Sequence, residues 1–140
     1  MFRLFRRDRE KGASAVELAI VLPVFLTLVF GTMEAGWIFA QQVEIRNAAR
    51  EGARLAVVDY GTAGTIVTAV CDRADLSGGG ATVDIAASST SVVVTVSNPY
   101  TTITGFLDPI FGSIVMSSTV EMRTERPLDT LGGGGSGTCP

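Results

Sequence analysis

The sequence predicts an α+β protein, in which a long N-terminal transmembrane and stem helix precedes a small extracytoplasmic domain with a short helix and a roughly three-stranded antiparallel sheet. Three observations carry this. Leu18–Met33 contains no charged side chain, and after Glu34 the apolar character resumes through Ala40. Residues 41–58 are good helix formers without a proline. Beyond residue 80, β-branched residues gather in short runs separated by glycine, serine and proline. The expected parts are a basic leader at 1–12, the membrane helix and stem at 13–59, the outer domain at 60–131 and a Gly-rich tail at 132–140.

The charge distribution orients these parts. The chain of 140 residues has 14 acidic and 11 basic side chains, a net charge of −3, and is 46 % hydrophobic. Five of the basic groups (Arg3, Arg6, Arg7, Arg9, Lys11) lie in residues 1–12 beside Asp8 and Glu10, so everything after the leader carries a net of −6. The basic head is brief and runs straight into apolar sequence, which argues against nucleic acid as a partner. The positive-inside rule places it in the cytoplasm and the chain after about residue 41 outside.

Leu18–Ala40 is 23 residues, or about 34 Å of helix, enough to cross a hydrocarbon core of about 30 Å. The lipid bilayer is thus the first expected partner. Pro23 removes one backbone hydrogen bond and is tolerable in a membrane helix, while Trp37 and Phe39 suit an interfacial belt. A competing reading is a secretory signal peptide, with Leu18–Phe30 as its apolar core and cleavage after Gly31.

At the cytoplasmic border stands Gly12-Ala13-Ser14-Ala15-Val16-Glu17, between the basic head and the apolar helix. This order resembles the type IV prepilin processing site. The resemblance implies cleavage between Gly12 and Ala13 by a membrane peptidase, and pairing of Glu17 with the new α-amino group on Ala13 of a neighbouring subunit. A glycine suits a protease cleft, and a carboxylate in the apolar zone costs about 2.5–3.5 kcal/mol unless it is partnered. A capping box competes, in which Ser14 and Glu17 satisfy each other's backbone N–H groups at a helix start.

The Ala19-Ile-Val-Leu-Pro23 run, Arg46-Asn-Ala-Ala-Arg-Glu-Gly-Ala-Arg54 and the distal Val120–Glu125 segment widen the likeness. Together with the Gly12–Glu17 motif, they make the chain similar to the TadE-like minor pilins or pseudopilins of the tight-adherence (Flp) pilus system. The resemblance implies a pilin-like architecture in the bacterial inner membrane, with other pilins, the pilus assembly machinery and a prepilin peptidase as partners.

Arg46, Arg50 and Arg54 recur at i, i+4 and i+8 and share one helix face, where like charges repel by about 0.2–0.5 kcal/mol per pair. Glu51 reaches Arg54 at i+3. Lipid phosphates are candidates for Arg46, and carboxylates of a partner or of the acidic distal domain for the others; a merely solvated face is the alternative. Small residues form a second stripe, Gly31 with Ala35, Gly36 with Ala40, then Ala48, Gly52 and Ala56, at a spacing that lets another helix approach closely.

In the distal domain Ile66, Val67, Val70 and Cys71 predict a short helix ending near Leu76. Thr82–Ala86 and Val92–Ser97 predict a hairpin, Pro99 ends its second strand, and Ile114–Arg123 supplies the third. Asp108 is positioned to cap a turn begun by Pro109, amid an apolar cluster of Phe106, Leu107, Ile110 and Phe111 that reads as core. Cys71 and Cys139 are an even pair in a region placed outside the membrane, compatible with one disulfide. The run from Gly132 to Gly137 reads as a flexible linker by composition.

No catalytic constellation is visible. The chain has no histidine, which removes the commonest acid–base group and metal ligand. Asp72, Asp75 and Asp84 lack metal-loop spacing, and no glycine run leads into a P-loop lysine. The expectation is therefore a structural protein rather than an enzyme, with no metal, cofactor or small-molecule substrate: a membrane-anchored subunit used in pilus assembly. The alternative is an uncut single-pass envelope protein whose outer domain binds a partner or surface ligand.

Overall fold

A computed structural model describes residues 6–58, 61–74, 80–105, 108–112, 114–124 and 131–139, with residues 6–11, 74, 110 and 111 described by backbone alone. It divides into two compact units, Met1–Gly36 and Trp37–Pro140. Helix α1, Arg6–Val57, supplies the described part of the first and enters the second.

In the first unit α1 begins at Arg6 rather than near Gly12, so part of the leader is helical. Ser14 and Glu17 consequently lie two turns inside the helix, where a capping box has no free N–H groups to serve. Pro23 stays within the helix. Thr27 Oγ1 donates to the Pro23 carbonyl at 2.8 Å and Thr32 Oγ1 to the Val29 carbonyl at 2.8 Å. These are the two polar side chains of Leu18–Met33, and by bonding back to their own helix they leave no unmet hydroxyl facing outward.

The second unit joins the rest of α1 to α2 (Ala63–Ala74), β1 (Thr82–Ala87), β2 (Ser91–Pro99), α3 (Asp108–Phe111), β3 (Val115–Arg123) and β4 (Gly134–Thr138). The strands form one antiparallel sheet in the order β3-β2-β1-β4. Period-two alternation sets its faces: Val92, Val94 and Val96 of β2 point inward with Val83 and Ile85 of β1 and Met116 of β3. Onto this face pack Ile45, Ala48, Ala49, Ala53 and Ala56 of α1 with Ile66, Val67 and Val70 of α2. The small side chains of α1 bring its backbone close to the sheet. A Cβ at Gly52 would stand 3.1 Å from both Val70 Cγ2 and Val94 Cγ1.

The sheet has a fourth strand where the sequence predicts a flexible linker. Residues Gly134–Thr138 pair with β1, Gly135 opposite Ile85 and Gly137 opposite Val83. Helix α2 lies against the inward side of this strand: a Cβ at Gly135 would come within 2.8 Å of Ala63 Cβ, and one at Gly137 within 2.8 Å of Val67 Cγ1. Gly134 adopts φ +121°, and a Cβ there would meet the Ile85 carbonyl oxygen at 2.1 Å. The glycines are thus a packing requirement.

Cys71 and Cys139 form a disulfide with a Cα–Cα distance of 5.4 Å across 68 residues of sequence. It ties α2 to the end of β4, and the Cys139 N–H donates to the Ala81 carbonyl at 2.8 Å. Asp108 accepts a hydrogen bond from the Thr102 hydroxyl and so ties α3 to the segment that follows β2. Phe106, Leu107 and Leu76 lie outside the described residues, as do the side chains of Ile110 and Phe111.

Candidate membrane anchor and assembly face

In the first unit the apolar side chains of α1 turn outward. Leu18 is 62 % exposed and Leu28 65 %, with Ile20, Val21, Val24 and Phe25 similarly open. A side chain left half-exposed in water forgoes about 1 kcal/mol of burial free energy, so a run of this length calls for a non-aqueous environment. Among the described residues this one helix is long and apolar enough, by length and composition, to cross a membrane.

Gly12 lies in the helix with open space where a Cβ would project, Ala13 follows it, and Glu17 is exposed between Val16 and Leu18. Gly31 and Gly36 likewise meet nothing at the Cβ position, and Ala35 and Ala40 are exposed. These four small residues are open to a helix from outside the chain. Ala48, Gly52 and Ala56 are not. They are buried against the protein's own sheet and α2, so the small-residue stripe there is spent on the internal core.

Sequence reasoning passes over Glu34, which the structure buries at 1 % exposure. Within the second unit, Ile38, Gln41 and Ile45 continue at helical spacing the face that Ala48 and Gly52 occupy further along. On the second unit's part of this helix, Trp37 Nε1 donates to the Thr101 carbonyl at 3.0 Å and Gln41 Nε2 to the Thr101 hydroxyl at 3.2 Å. Trp37, 37 % exposed, is therefore a structural contact as much as a belt residue.

Arg46, Arg50 and Arg54 are all exposed on the opposite face. Glu51 binds Arg54 at 3.6 Å and also pairs with Arg73 of α2. Among the described residues, those of the acidic distal domain included, Arg46 and Arg50 have no ion-pair partner. Nor do the described residues contain a group of three or more His, Cys, Asp or Glu able to hold a metal.

The span of this constellation, from the glycine where basic sequence gives way to apolar sequence to the last arginine of α1, coincides with a family model. Residues 12–54 match the TadE-like protein family. No curated protein and no solved structure matches the chain. TadE-like proteins are structural and assembly proteins of the tight-adherence pilus. The TadE-like segment covers Gly12, Glu17, the outward small residues and all three stem arginines, and it ends before α2 and the sheet. The distal likeness at 120–125 falls beyond it. Val120–Arg123 belong to β3, which β4 follows in sequence, and Glu125 lies outside the described residues.

Proposed function

We propose that this chain is a minor pilin or pseudopilin of a tight-adherence pilus, anchored in the bacterial inner membrane by Leu18–Ala40 with its N-terminus in the cytoplasm. The observation that carries this reading is the coincidence of the TadE-like match with a helix whose apolar side chains stand open. The second unit buries a core of its own, so the exposed helix is left for lipid and for other subunits.

In this reading a prepilin peptidase cuts after Gly12, which lies at the chain's transition from basic to apolar sequence. Removing residues 1–12 deletes the charge that holds the terminus in the cytoplasm. Glu17 then meets the α-amino group of Ala13 on a neighbouring subunit, and two poorly solvated charges cancel. Gly31, Ala35, Gly36 and Ala40 let neighbouring helices approach closely.

N-terminal sequencing of protein extracted from membranes of peptidase-carrying cells tests this. The expected first residue is Ala13, with Gly12→Ala blocking the cut. An intact Met1 removes the processing step, and a terminus near Thr32 replaces the anchor with a signal peptide.

A further inference from the structure

We infer that the outward face of the stem carrying Arg46 and Arg50 binds the phosphates of anionic phospholipid headgroups in the leaflet where the apolar helix ends. The inference rests on the membrane-spanning reading of Leu18–Ala40.

Angular placement comes first. At about 100° per residue, Phe39, Val43, Arg46, Arg50 and Arg54 fall within about 80° of one another around α1. Phe39 is 72 % exposed and Val43 54 %, and all three arginines are exposed. The opposite face, with Ile45, Ala48, Ala49 and Gly52, is buried in the protein's own core. One open strip therefore passes from apolar to cationic along the helix axis.

Charge then selects the occupant. Glu51 is taken by Arg54 and Arg73, whereas Arg46 and Arg50 have no ion-pair partner among the described residues. Two guanidinium groups one helical turn apart are suited to phosphate oxygens, which accept bidentate hydrogen bonds.

Depth fits as well. Arg46 lies about 9 Å and Arg50 about 15 Å along the helix beyond Ala40, and the headgroup layer is about 5–7 Å thick on each side of the hydrocarbon. Helical side chains lean toward the N-terminus, which here means back toward the bilayer, so the long stem of Arg46 lowers its charge into the headgroup layer and that of Arg50 lowers its charge to the layer's outer edge. Phe39 and Val43 then occupy the boundary between headgroups and acyl chains.

The test uses the full chain in bilayers of mixed phosphatidylcholine and phosphatidylglycerol. A photoreactive benzophenone side chain replaces Asn47, exposed at the border of the strip, or Leu28, exposed in mid-span. Illumination should give lipid adducts at both positions. Those at 47 should be enriched in phosphatidylglycerol by about five-fold for each arginine engaged, and the enrichment should fall with added salt. Combined Arg46→Gln and Arg50→Gln substitutions should return position 47 to the bulk lipid ratio and leave position 28 unchanged. Unenriched adducts at 47, or crosslinks there to a second protein chain in place of lipid, overturn the inference while sparing the span. Absence of lipid adducts at 28 overturns the span reading and this inference with it.

Discussion

Gly137 of β4 faces Val67 of α2 so closely that a Cβ at position 137 would stand 2.8 Å from Val67 Cγ1. The strand can occupy this place only because it lacks a side chain. Gly137→Val should push α2 from the sheet and cost about 1–3 kcal/mol, as overpacking does elsewhere. Ser136→Val, on the exposed side of the same strand, should cost far less. Chemical denaturation of the two variants distinguishes an essential glycine from a compositional accident; equal stabilities would show that β4 tolerates side chains on either face.

The disulfide closes a loop of 68 residues, which in the loop-entropy model restricts the unfolded chain by about 4 kcal/mol. Replacing Cys71 and Cys139 together by serine should lower stability by a comparable amount. Because glycine is a poor strand former, the loss should appear first in β4. Hydrogen exchange at the Gly135 and Gly137 amides should accelerate before exchange at Val94 in the central strand. Uniform acceleration throughout the sheet would mean that β4 is not held separately.

In the proposed reading, Glu17 and the amino group that cleavage would create act as one unit. Glu17→Gln should leave membrane insertion intact, since neutralising the carboxylate relieves a cost of about 2.5–3.5 kcal/mol, yet it should abolish pilus assembly. Gly12→Ala should do the same by preventing the amino group from forming, and the double variant should be no worse than either single one. Pilus yield and membrane fraction are the measurements; assembly by the Glu17→Gln protein would separate the carboxylate from the function.

Glu51 holds Arg54 and Arg73 at once. The arginine side chains are 75 % and 56 % exposed against 27 % for Glu51, so solvent screening limits the pair of contacts to about 1 kcal/mol in total. Glu51→Gln should therefore lower stability slightly at low ionic strength and make no difference at high salt. A salt-independent loss in urea denaturation would point to packing of the Glu51 stem instead.

By itself the sequence determined the long helix, because an uncharged apolar run followed by strong helix formers leaves few other ways to satisfy the backbone. It likewise determined β2, where valines at 92, 94 and 96 impose a period of two. It marked Gly12, Glu17 and the three arginines by type and spacing, and an even cysteine count made a disulfide conceivable without proving it. Only the tertiary structure decided what lies on which face. Ala48, Gly52 and Ala56 have the same spacing as Gly31 and Ala35, but the first set is covered by α2 and β2 and the second is open. Spacing specifies a stripe, whereas its partner depends on residues far along the chain. The same reason hid β4: glycine carries no side-chain pattern to read, and its place in the sheet follows from the close approach of Ala63 and Val67, some 70 residues earlier in sequence.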